Sequence, residues 1–145
     1  MLQVGLGQAE GVDTRDIVER AIGDCTRQLN GVHPQAGIVF AGPHLDHGLM
    51  LEIINERFPE IALVGCSTAG NFSSFHGVSD DGITLTLLAS DIIEFGAGAG
   101  GGLATDWQTA VEQAIGSATA ALSQSPSLCL TFPQGYAIPF EPVLE

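Results

Sequence analysis

Basic residues are scarce in this chain: four Lys and Arg stand against 17 Asp and Glu, a formal charge of −13. Such a field repels a phosphate backbone and anionic headgroups, which argues against nucleic acid and membrane surfaces as partners. Long apolar runs are missing too, and none reaches the about 18–20 residues that a helix needs to cross a bilayer. The opening residues, MLQVGLGQAEG, carry no basic segment ahead of an apolar stretch and do not read as a secretory signal. Cysteine is sparse as well. Cys25, Cys66 and Cys129 cannot all pair within one chain and none belongs to a C-x-x-C motif, which fits a reducing compartment and a cytoplasmic location.

What is present suits a folded domain. The 145 residues are 45% hydrophobic and 14% charged with a mean hydropathy of +0.28, well away from the signature of disorder, and the length matches one domain. The closing Leu144-Glu145 matches a junction often left before a purification tag, so the chain reads as a fragment of a larger protein.

Residues 2–6 form a short apolar run, after which Asp13-Thr14 offers a helix cap. Ile17, Ala21, Ile22, Cys25 and Leu29 then recur at spacings of three and four, and Asn30-Gly31 closes the helix with a left-handed turn. Residues 36–41 are a continuously apolar strand followed by Gly42-Pro43, and Leu45, Leu49, Ile53, Ile54 and Phe58 mark a second helix ending at Pro59. Residues 61–64 make a third strand. Residues 82–89 and 92–98, separated by Ser90-Asp91, predict a hairpin on the sheet edge. Thr105 or Asp106 caps a helix carrying Trp107, Ala110, Val111, Ala114, Ile115, Ala118 and Leu122, and residues 128–132 form a last strand. The tail from Pro133 leaves Tyr136, Ile138, Phe140, Val143 and Leu144 without an evident partner. The expected fold is α/β with a mixed, largely parallel sheet in the order βαβαβ-ββ-αβ, incomplete without a following C-terminal domain.

The most informative stretch is Gly65-Cys66-Ser67-Thr68-Ala69-Gly70, a turn at the carboxyl end of a buried strand, where open α/β sheets bind ligands. Its glycines expose backbone N–H groups, Ser67 and Thr68 add hydroxyls and Cys66 adds a thiol, a chemistry suited to an anion or an amino-acid-like ligand. The same residues also suit a plain tight loop whose hydroxyls satisfy its own backbone. Three rivals are weaker. Gly96-Ala97-Gly98-Ala99-Gly100-Gly101 satisfies G-x-G-x-x-G, but the following strand ends in Pro133 with no acid to hold a ribose. His44, Asp46 and His47 are ligand types at a helix start, yet three or four converging ligands are needed for a metal, and Asp46 suits a cap. Cys66 as a nucleophile would need His76 or His47 as its base, and nothing in the sequence brings them together.

A strand ending in Val64-Gly65-Cys66-Ser67-Thr68-Ala69-Gly70 resembles the signature of the FIST N-terminal domain, and the order of elements from about residue 2 to the end fits that resemblance. The family often carries an acidic residue after the second glycine, where this chain has Asn71. The resemblance implies a sensory input module that binds small ligands, amino acids among those proposed. Such modules precede bacterial histidine kinases, chemoreceptors and cyclic-dinucleotide enzymes, and continue into a FIST C-terminal domain. The expected function is therefore small-ligand sensing without catalysis, cofactor or metal. Gly65, Cys66, Ser67, Thr68, Ala69 and Gly70 would wall the site, and closure against the C-terminal domain would pass the signal on. The alternatives are a protein-interaction scaffold, in which the acidic surface and the tail dock a partner, and a Cys66-dependent enzyme.

Overall fold

In the computed structural model, which describes residues 1–74 and 76–134, the first strand continues past its apolar start and covers Leu2–Glu10 (β1). It runs that far because a later strand pairs with it along its whole length. Asp13 accepts the Asp16 N–H at 2.9 Å and opens the helix Thr14–Leu29 (α1), while Asn30 ends it in the left-handed region (φ 50°, ψ 44°). The apolar face read from the sequence is the buried one, and it includes Ile17, Val18, Ala21, Ile22, Cys25 and Leu29. Gly5 and Gly7 allow α1 to lie directly on β1, since a Cβ at either would strike the carbonyl of Cys25 or of Ala21.

Next come Ala36–Ala41 (β2) and His47–Arg57 (α2). Asp46 is the cap of α2, its carboxylate taking the Leu49 N–H at 3.0 Å, and the helix closes on Phe58 just ahead of Pro59. Ala62–Ser67 (β3) pairs in parallel with β2. Two short strands, Asn71–Ser73 (β4) and Gly77–Ser79 (β5), form an antiparallel hairpin, and Gly82–Ser90 (β6) follows. Ile17, Leu29, Ile54, Ile83, Leu85 and Leu87 are among the residues of one core that α1 and α2 build against β2 and β6. Each such side chain contributes about 1.5–3 kcal/mol by leaving water.

The strand order is β1-β6-β2-β3, and this corrects the expected sheet. It is mixed but not largely parallel: only β2 and β3 pair in parallel, while β6 runs antiparallel to both β1 and β2. The strands β1 and β2 share a direction yet do not touch, because β6 lies between them. The expected hairpin of residues 82–89 with 92–98 does not form. Residues 82–90 are buried on both faces, as a central strand must be, and the Ser90 hydroxyl turns the chain away by accepting the N–H groups of Ile92 and Ile93.

The structure divides into two units, Met1–Ile93 and Glu94–Glu145. In the second, Asp106 rather than Thr105 caps the helix Trp107–Thr119 (α3), accepting the Thr109 N–H at 3.1 Å. The Glu94 carboxylate takes the N–H and the hydroxyl of Ser123, each at 2.7 Å, and these bonds hold it below the usual carboxylate range. The expected strand at 128–132 has no ladder among the described residues. Tyr136, Ile138, Phe140, Val143, Leu144 and Glu145 lie outside the described residues.

Candidate functional site

Alternation along the strands sends one set of side chains to the helices and the other to the opposite face. On that opposite face the registers Gln8↔Thr84, Phe40↔Thr84 and Phe40↔Cys66 place Gln8, Thr84, Phe40 and Cys66 in a single row across all four strands. The β4–β5 hairpin reaches this end of the sheet through two hydrogen bonds. Asn71 Nδ2 donates to the Gly82 carbonyl at 3.1 Å, and Gln8 Nε2 donates to that of Gly77 at 3.5 Å.

The hairpin is inside out. Its cross-strand pair Asn71 and Ser79 is buried, while the next pair, Phe72 and Val78, is 81% and 78% exposed. Burial alone would choose the reverse pattern. The enclosed polar residues are not satisfied by one another. Gln8 Oε1, Asn71 Oδ1, Ser79 Oγ and Thr84 Oγ1 are all buried without a hydrogen-bond partner among the described residues, and the four residues are only 6, 4, 4 and 7% exposed. A buried, unpaired polar group costs about 1–3 kcal/mol. Gln8 Nε2 and Asn71 Nδ2 each donate one hydrogen bond to a carbonyl, whereas the amide oxygens of the same two residues have no partner among the described residues. The Asp80 carboxylate lies beside Gly70 and adds a further acceptor at the same end.

The sextet enters this end of the sheet in a different form from the one expected. Gly65, Cys66 and Ser67 belong to β3 itself, so the strand runs three residues further and only Thr68, Ala69 and Gly70 form the turn. Gly65 serves the sheet, because a Cβ there would fall on the Val39 carbonyl. The Thr68 N–H donates to the Ala41 carbonyl at 2.9 Å. Its hydroxyl donates to the Gly70 carbonyl at 2.7 Å and accepts the Gly70 N–H at 3.3 Å, so several of the expected anion donors hold the turn together. Cys66 is exposed at the end of the row, with Ser67 beside it also exposed.

The other sequence candidates separate from this site. His47 Nε2 donates to the Gly42 carbonyl at 2.9 Å, and His44 stands 3.8 Å from Asp81. No group of three or more His, Cys, Asp or Glu side chains that could hold a metal is present among the described residues. The G-x-G-x-x-G stretch packs on its own helix: Cβ atoms at Gly96, Gly98 and Gly100 would strike the carbonyls of Ala118, Ala114 and Ala110. Sequence reasoning missed Gln8, Thr84 and Ser79 altogether, and noted Asn71 only as a departure from the family pattern. A signal was present in Gln8 and Thr84, polar residues within strands of largely apolar composition.

Cys25 contrasts with Cys66. It is fully buried on α1, its thiol donates to the Leu85 carbonyl at 3.3 Å, and burial, helped by the charge of Asp24, pushes its pKa up to about 12. Native alkylation is therefore expected at Cys66 and Cys129, with Cys25 reacting only after unfolding. Mass mapping of the adducts checks this, and labelling of Cys25 at the rate of the other two would contradict it.

These features define a small α/β domain that gathers buried polar groups where a glycine-rich strand leaves the sheet. Residues 35–145 match the FIST N domain, and the chain belongs to that family. The match begins after α1, later than the expected start near residue 2. FIST domains are sensory domains of signal transduction, and no helix among the described residues is long and apolar enough to cross a membrane. No curated protein matches the chain.

Proposed function

We propose that this chain is the small-ligand input domain of an intracellular signalling protein, working in the cytoplasm by binding and not by catalysis. The observation that carries the proposal is the group of four buried, unpaired oxygens under the inside-out hairpin. A fold tolerates such a cost where function repays it. Two amide oxygens that can only accept, beside two hydroxyls that can turn to accept, suit a ligand that brings donors, and the ammonium group of an amino acid is a compact one. Gln8, Asn71, Ser79 and Thr84 would receive it. Gly65, Cys66, Ser67, Thr68, Ala69 and Gly70 would wall the exposed side, with Cys66 and Ser67 nearest the ligand's other end. The oxygens are shut off in the closed arrangement, so binding requires the short β4–β5 hairpin to swing out and re-close. A C-terminal FIST-type domain and an output domain would read that movement through their different affinities for the two positions. The reading calls for neither a cofactor nor a metal.

A melting-temperature panel of amino acids and small organic acids tests it. At least one compound bearing an ammonium group is expected to raise the melting temperature in a concentration-dependent way. A flat response across the panel would sink the sensor reading.

A further inference from the structure

β1 is an outer strand of the sheet, paired with β6 on one side and with no strand on the other among the described residues. In an antiparallel ladder the main-chain groups of successive residues point alternately toward the partner strand and away from it. Two side chains show which residues of β1 point away. Gln28 clasps Leu6, accepting its N–H at 3.2 Å and donating to its carbonyl at 2.6 Å, and Arg20 donates to the Glu10 carbonyl at 2.6 Å. Gln8 lies midway between them with the same parity, so its N–H and carbonyl face outward too. No side chain among the described residues clasps that pair. Between the two clasps the edge is open over about 13 Å, the length of three or four extended residues.

A cleft of about 750 Å³ opens at the same place, between Gln8 to Glu10 of β1 and one side of α1. Its charge is unbalanced. The carboxylates of Glu10, Asp16, Glu19 and Asp24 line it against two arginines that are already engaged, Arg20 with Asp16 and Arg27 with Asp24. Glu10 has no ion-pair partner among the described residues, and Glu19 has only Arg15, at 3.8 Å. Gly23 adds room on the α1 side. Its Cβ would meet only the end of Arg27 at 3.6 Å, so no packing within the chain asks for a bare residue in the middle of this helix, where glycine is unfavourable.

We propose that this gap in the edge of β1 is a docking site for an extended segment of a partner protein, about three or four residues long and carrying lysine or arginine. The Gln28 clasp shows what the edge accepts, a donor and an acceptor side by side, and a residue of an added strand presents the same pair to Gln8. Side chains of directly opposed residues share a face. The residue opposite Gln8 therefore points away from α1, while its two neighbours turn toward α1 and carry their charges to Glu10 and Glu19. The site uses the main chain of Gln8 and is separate from the ligand site under the hairpin, which uses the side-chain oxygen.

The probe is the acetylated and amidated peptide TKTKT, added to the full chain at physiological ionic strength. One peptide is expected to bind per chain and to slow amide exchange at Gln8 on the order of tenfold, leaving the Leu6 amide, already held by Gln28, unchanged. The same peptide with its middle threonine N-methylated keeps its charge but loses the central donor, and should bind about tenfold more weakly. The double variant Glu10→Lys, Glu19→Lys should weaken binding by a similar factor, and so should Gly23→Gln, which keeps a good helix former and fills the cleft. Equal binding by the N-methylated peptide would reduce the attraction to net charge alone. That result, an unchanged Gln8 amide, full binding to either variant chain, or no binding to the wild type would each overturn the proposal.

Discussion

Replacing Gly7 by alanine is expected to cost about 3 kcal/mol, a large share of the about 5–15 kcal/mol that a marginally stable domain has to lose. The reason lies in backbone geometry, not in the lost flexibility of glycine. A Cβ at Gly7 would fall on the Ala21 carbonyl, and a main-chain oxygen in the middle of α1 cannot move without displacing the helix from β1. Because α1 also carries Ile17 and Leu29 into the core, that displacement opens the whole helix-sheet interface. The companion change Gly23→Ala, on α1 itself, should have the opposite sign. Its Cβ would meet only the end of Arg27 at 3.6 Å, and alanine in a helix interior is favoured by about 0.5–1 kcal/mol. Chemical denaturation of the two variants checks both signs, and equal effects would contradict the close-approach argument.

Thr84→Val is expected to stabilise the chain. Valine keeps the shape of threonine and removes a hydroxyl that is buried without a partner, so the gain should be about 1 kcal/mol, or roughly 2–4 °C in melting temperature. Removing a buried hydroxyl usually costs stability. A gain here marks a group that the fold holds at a loss. The same substitution deletes one of the four oxygens proposed to receive the ligand, so stability and binding should move in opposite directions. A Thr84→Val chain that melts at a lower temperature would show the hydroxyl to be satisfied.

Much of the fold was legible where local rules act alone. Asp13 and Asp46 cap their helices, Asn30 ends α1, and the apolar positions of α1 are its buried face, because capping and helical period depend on neighbours in sequence. Strand pairing was misread because it does not. The alternation of β6 suits a hairpin edge as well as a central strand, and only the turn set by the Ser90 hydroxyl, together with the space left between β1 and β2, decides where it goes. The hairpin Asn71 to Ser79 escaped notice because its strands are three residues each and too short to show a period. The sextet was found and its family followed from it, but its glycine and threonine turned out to serve the sheet and the turn. The polar cluster was illegible for a plainer reason. Gln8, Asn71, Ser79 and Thr84 come from four strands in two sheets, and only the registers and the Asn71–Gly82 and Gln8–Gly77 hydrogen bonds bring them to one end of the larger sheet.

The measurement that bears most directly on the proposed binding site is the melting-temperature response of the wild-type and Thr84→Val chains to the same set of amino acids. The wild type should rise with at least one of them, while Thr84→Val should start higher and respond weakly or not at all. A response that survives the substitution at full size would place the ligand elsewhere and contradict the account.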